Sequence, residues 1–245
     1  MLLAIDIGNT NINLGLFKKN SLVRRYQIPT KNKKYFFSLK KIISKNEIDD
    51  AIICSVVPNA SKILEKDLKR LLEKRPFIIG KDIIVPIRNL YRKPKQVGSD
   101  RLVNAYAGFN LYGLPLIVVD FGTAITFDVV SKNKEYLGGM ISPGIEISLD
   151  ALATKTALLP KVKLERPKEL IGQDTRNSML SGIVYGFAAL TDSLAERLKS
   201  KLGINAKVIG TGGNISLMSN YCKQIDKIDI DLTLKGLSLI YSNRQ

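Results

Sequence analysis

Asp6-Ile7-Gly8-Asn9-Thr10-Asn11, near the start of the chain, and Asp120-Phe121-Gly122-Thr123-Ala124-Ile125-Thr126, near its middle, are two versions of one phrase. Each closes an apolar, strand-like run (residues 2–5 and 116–119) with an Asp, a Gly two positions later, and then small hydroxyl or amide side chains. Such a turn holds phosphate. Gly lets the backbone approach an anion and present N–H donors with no Cβ in the way, while Thr and Asn add side-chain hydrogen bonds. The Asp would repel phosphate by itself. It fits if a divalent cation lies between, because Mg2+ prefers one or two carboxylates together with phosphate oxygens and water. Two copies of the turn imply two related halves directed at one nucleotide.

Outward from the first turn, residues 2–7, 11–17 and 22–27 read as an opening antiparallel meander. A helix over 35–45, a buried strand over 51–57, a helix over 60–74 and short strands at 77–79 and 83–87 follow. The second half repeats that order, with strands at 116–120, 124–130 and 135–140 and a helix over 145–156. A long helix starts near Thr175, with Met179, Ile183, Phe187, Leu190, Leu194 and Leu198 on one face. A strand at 207–209 leads into a third glycine turn, Gly210-Thr211-Gly212-Gly213-Asn214, which could form a wall for the base and sugar of a nucleotide, then a helical stretch from Ile215 and a terminal helix over 232–241. The boundary is expected near residues 113–115, giving domains 1–113 and 114–245, each a mixed α/β layer with its own core.

Composition narrows the class. With 245 residues, 45% of them hydrophobic, the chain is an ordinary globular one. The longest apolar runs, residues 51–57 and 114–119, are far too short for a bilayer, and the first five residues lack a basic lead and are stopped by Asp6. Cytoplasm is the expected location. Cys54 and Cys222 show no metal or redox spacing and read as packed thiols. There is no histidine, so proton transfer must rest on Asp, Glu, Lys or Tyr. The formal charge of +16 is carried mostly by scattered lysines, among them Lys18, Lys19, Lys33, Lys40, Lys93 and Lys161, with no nucleic-acid-binding signature beside them. It reads as a solvated surface that also attracts anionic substrates, and no nucleic-acid or membrane partner is expected.

The duplicated halves resemble the acetate and sugar kinase, Hsp70 and actin superfamily. The resemblance implies two similar mixed-sheet α/β domains of the actin-like, ribonuclease H-like type with a nucleotide cleft between them. Six phrases in order are similar to those of type III pantothenate kinase: the first turn, Ser55-Val56-Val57-Pro58, Gly98-Ser99-Asp100-Arg101, the second turn, Gly138-Gly139-Met140-Ile141-Ser142-Pro143-Gly144, and Thr211-Gly212-Gly213. The match runs on to the closing Asp231-Leu232-Thr233-Leu234-Lys235-Gly236-Leu237. It implies ATP-dependent phosphorylation of pantothenate, the first step of coenzyme A biosynthesis, by a homodimer using Mg2+ and a monovalent cation, K+ or NH4+. Asp6, Ile7, Gly8, Asn9, Thr10, Asn11, Ile12 and Asn13 would hold ATP, with Thr123 contacting the nucleotide and Asp120 the monovalent cation. Tyr91, Gly98, Ser99, Asp100, Arg101 and Thr175 match the pantothenate contacts, Thr175 reaching across the dimer. Ser99 departs from the Ala usual in that motif.

Several of these residues have a plainer reading. Asp100 alone reads as a helix cap, and becomes the general base through the resemblance. Arg101, a planar fork suited to a substrate carboxylate, could equally pair with a neighbouring acid. Asp6 either binds Mg2+ through water or steadies the turn, and Thr175 competes with Asp174 to cap the long helix. A regulatory relative without catalysis, a kinase for another small hydroxy acid, and an ATP-switched chaperone or filament subunit are the rival functions.

Overall fold

The computed structural model describes residues 1–32 and 34–244; Lys33, one of the scattered lysines, lies outside the described residues. The chain forms two compact units, Met1–Asn110 with Asp231–Gln245, and Leu111–Ile230.

In the first unit, β1 (Leu2–Ile7), β2 (Asn11–Lys18) and β3 (Ser21–Pro29) form the meander, followed by α1 (Tyr35–Ile43), β4 (Asp50–Ser55), α2 (Pro58–Leu72), β5 (Phe77–Ile78), β6 (Arg88–Asn89), a 3-10 turn (Pro94–Gln96) and α3 (Ser99–Tyr112). Its sheet runs β3-β2-β1-β4-β5, antiparallel in the meander and parallel from β1 through β4 to β5. β1 is apolar on both sides because both faces are covered. Leu3, Ile5 and Ile7 pack with Ile12, Leu14 and Leu16 beneath Leu39 of α1 and Leu64 and Leu68 of α2. Leu2 and Ala4 face the other way, into a cluster with Phe17, Cys54, Val103 and Tyr106. Each Leu, Ile, Val or Phe side chain so buried contributes roughly 1.5–3 kcal/mol.

The second unit holds β7 (Leu116–Phe121), β8 (Ala124–Val130), β9 (Glu135–Pro143), α4 (Ile145–Lys155), α5 (Thr175–Leu202), β10 (Lys207–Thr211), α6 (Ile215–Met218) and β11 (Lys227–Ile228). Its strands run β9-β8-β7-β10-β11 with the same senses as the first sheet, the first two pairings antiparallel and the last two parallel. β7 thus stands where β1 stands, and both end in an Asp-x-Gly turn. The two mixed sheets are the duplication expected from the repeated phrase.

Three features differ from expectation. Residues 83–87 are not a strand: only an isolated bridge joins Ile79 to Ile83, and pairing resumes at Arg88. Pro86 has no N–H for a ladder and restricts the residue before it. The terminal helix α7 (Leu232–Ser242), expected with the second half, packs on β1 and belongs to the first compact unit, where Leu234, Leu237 and Ile240 are buried beside Leu2 and Ala4. On α5 the deepest stripe is Ser181, Val184, Ala188, Thr191 and Ala195, while Ile183, Phe187, Leu190, Leu194 and Leu198 flank it half-buried.

Candidate active site

The first turn is built by the hairpin it closes. Gly8 N–H donates to Asn11 O at 3.0 Å, and Asn9 and Thr10 stand exposed at the tip. Thr30 braces it from the side: its hydroxyl donates to Gly8 O at 2.7 Å and its N–H to Thr10 O at 3.0 Å, while the buried Tyr35 hydroxyl donates to Thr30 O at 2.5 Å. Ile7 and Ile12 are fully buried in the core, so only their backbone is available to a ligand. Thr30 and Tyr35 escaped the sequence reading because their role rests on the strand register, which no local pattern announces.

Asp6, at the end of β1, lies opposite Asn13 on β2 and Cys54 on β4. Asn13 donates its amide to Asp6 Oδ2 at 3.4 Å and accepts from Gln27 at 3.0 Å. Burial, reinforced by the charge of Asp100 and opposed by Asn13, raises the Asp6 carboxyl to about 7. Asp100, in the first turn of α3, is also raised by burial, against the pull of the Arg101 N–H and guanidinium. Its Oδ1 accepts the Arg101 N–H at 2.8 Å, which bends the carboxylate back over Gly98; a Cβ on residue 98 would overlap that oxygen. Arg101 is itself buried. The first unit therefore collects Asn13, Ser99 and Arg101 around the carboxylates of Asp6 and Asp100, the charge of the second raising the first. Tyr91 sits apart in a loop held by Asn89, whose side chain accepts from Tyr91 N–H at 2.9 Å and donates to Pro94 O at 3.4 Å.

In the second unit Asp120 ends β7 half-buried, and Thr123 is exposed at the tip of the turn. The third glycine turn closes on it: Asn214 N–H donates to Phe121 O at 3.1 Å, and a Cβ on Gly212 would overlap Asp120 Oδ1 and the Phe121 backbone. Thr175 is exposed at the start of α5, but the cap is Asp174, which accepts from Asn177 N–H at 2.8 Å and is held below the usual carboxylate range by that bond. An open groove of about 560 Å³ beside it is lined by Leu159, Gly172, Gln173, Asp174, Thr175, Ser178 and Met179. No helix among the described residues is long and apolar enough to cross a membrane, and none of them form a group of three or more His, Cys, Asp or Glu able to hold a metal.

Two sheets that share one order over five strands, with an Asp-x-Gly turn after the first strand of each repeat, define an actin-like α/β fold. A glucokinase from an Antarctic psychrotroph shares it (TM-score 0.52, 11% identity, covering 99% of both chains), as does a Campylobacter jejuni protein described as a conserved candidate Baf family transcriptional activator (TM-score 0.55, 21% identity, covering 98% of this chain and 97% of that one). The particular family follows from sequence. Residues 2–197 match the profile of type III pantothenate kinase, and the chain belongs to that family. It is 42% identical to the type III pantothenate kinase of Citrifermentans bemidjiense over all of both chains, and 44% identical to that of Finegoldia magna over 98% of this chain and 96% of the relative.

Proposed function

We propose that the protein transfers the γ-phosphoryl group of ATP to the hydroxyl of pantothenate, giving 4'-phosphopantothenate and ADP, the first step of coenzyme A biosynthesis. The observation that carries this reading is the half-buried Asp6 and Asp100 pair beside a braced phosphate turn, in a chain of this family. Asp100 is the general base. Burial raises its affinity for a proton, and in a loose phosphoryl-transfer transition state the hydroxyl proton leaves late, so a carboxylate suffices without histidine. Arg101 pairs with the pantothenate carboxylate, and Tyr91, Gly98 and Ser99 complete the acceptor contacts. Residues 6–13 bind the ATP phosphates through turn N–H groups and the Asn and Thr side chains, and Thr123 contacts the nucleotide.

The charge of Asp100 raises the proton affinity of Asp6, so the two carboxylates form a donor set suited to a hard divalent cation, and Asp6 would hold Mg2+ through water. A Mg2+ ion held there would supply neutralisation of the charge developing on the phosphates. Asp120, against a glycine backbone that a Cβ would fill, would hold K+ or NH4+ through its oxygens. A cytoplasmic homodimer is part of the same reading, with Thr175 reaching the partner's acceptor. The open groove at Thr175 and the exposed Leu158, Leu170 and Ile171 near it support an interface there.

The test is ADP release by the purified protein with Mg2+ and K+, at matched ATP, with and without pantothenate. Pantothenate-dependent turnover is expected. Release independent of pantothenate, or none with K+ or NH4+, would overturn the reading and favour a regulatory role. Sedimentation equilibrium checks the dimer.

A further inference from the structure

Cys54 is fully buried, yet its surroundings give it more than a packing role. The parallel ladder between β1 and β4 sets it opposite Asp6. Its thiol donates to Ser99 Oγ at 3.3 Å, and Ser99 opens α3 immediately before Asp100. Both ends of this link are rigid. Cys54 is packed with Val103 and Tyr106 of α3, and the Asp100 carboxylate is bent back over Gly98 and held by the Arg101 N–H. From Asp6 to Asp100 the path therefore runs through a β-ladder, one thiol–hydroxyl bond and one peptide unit.

We propose that Cys54 and Ser99 form a positioning pair that sets the separation of the Asp6 and Asp100 carboxylates, and with it the reach of Asp100 to the acceptor hydroxyl. The inference rests on Asp100 acting as the base. An Ala at position 99 would leave the helix start without this tie to β4. A sub-ångström drift of a reacting group is enough to lower turnover severalfold, since a misplacement of about 1 Å can cost about a hundredfold.

The test compares Ser99→Ala, Cys54→Ala, Cys54→Ser and the double variant Ser99→Ala/Cys54→Ala. Each Ala variant should lower kcat about 3–10-fold with KM for ATP unchanged. The double variant should be no worse than the weaker single one, and Cys54→Ser, which keeps a donor, should recover most of kcat. Wild-type kcat in Ser99→Ala, or losses that multiply in the double variant, would overturn the pair. Crystal structures of the wild type and Ser99→Ala read the separation of the two carboxylates without turnover. If the wild type turns over no pantothenate but that separation changes in Ser99→Ala, the assigned reaction falls and the pair stands. An unchanged separation overturns the pair whatever the reaction.

Discussion

Asp6 occupies a place where a carboxylate is costly. Its folded pKa of about 7 lies above the ordinary aspartate value of 3.8, so between those values the folded chain keeps a proton that the unfolded chain has released. The stability this confers is full below about 4 and is lost as pH rises through about 7. Asp6→Asn removes the charge and should raise Tm at pH 8 over wild type, with the difference shrinking toward pH 5, while Mg-ATP turnover collapses; thermal melts at both pH values with a coupled ADP assay check this. Asp100→Asn should lower kcat by about a hundredfold or more with KM for ATP little changed, because an amide cannot take the hydroxyl proton. Gly98→Ala places a Cβ into Asp100 Oδ1 and should cost turnover far more than it lowers Tm. If Gly98→Ala were fully active, the carboxylate would not need the bent-back position. Asp6 and its turn stand out in the sequence, since Asp, Gly, Asn and Thr at turn spacing form a recognisable set, whereas Asp100 by itself reads as a helix cap. Cys54 does not stand out either, because a thiol in an apolar run looks like any other core residue.

Among the elements, α5 shows where local patterning succeeds and where it stops. Its start was legible, and two neighbouring residues competed for the cap; the structure gives it to Asp174, leaving Thr175 exposed. Asp174→Ala should lower Tm at neutral pH, with Asp174→Asn close to wild type because Asn caps as well. The Asp174 pKa is depressed, so its contribution is present above the ordinary carboxylate range and lost as pH falls through it; the Ala variant's deficit should fade in melts at acid pH. The apolar face expected on α5 does pack against the core, with Met179 buried and Ile183, Phe187 and Leu190 half-buried, but close packing puts the small Val184, Ala188 and Ala195 deepest. Residues 83–87 do not form the expected strand: β-branched residues raise strand propensity, but Pro86 and the lack of a ladder partner decide against it.

For the whole molecule, the chain leaves the first unit after Asn110 and returns to it at Asp231. α7 then supplies one wall of the first core, with Leu234, Leu237 and Ile240 over β1 and Thr233 donating to Asn104 of α3 at 2.7 Å. Truncation after Ile230 should therefore unfold the first unit, exposing Leu2, Ala4 and Val103. The truncated chain is expected to bind a hydrophobic dye and lose the cooperative melt, and a folded product would mean that α7 is dispensable to that core.

By itself the sequence determined most of the element order, the two Asp-x-Gly turns, the third glycine turn and the family, because periodicity, turn residues and motifs act over a few positions of chain. Only the tertiary structure decided that Asp6, Cys54, Ser99 and Asp100 converge, and that α7 closes the first unit. Those facts depend on strand register and on which faces cover each other across intervening helices. Register is set by burial of whole faces at once, so no short stretch of sequence contains it.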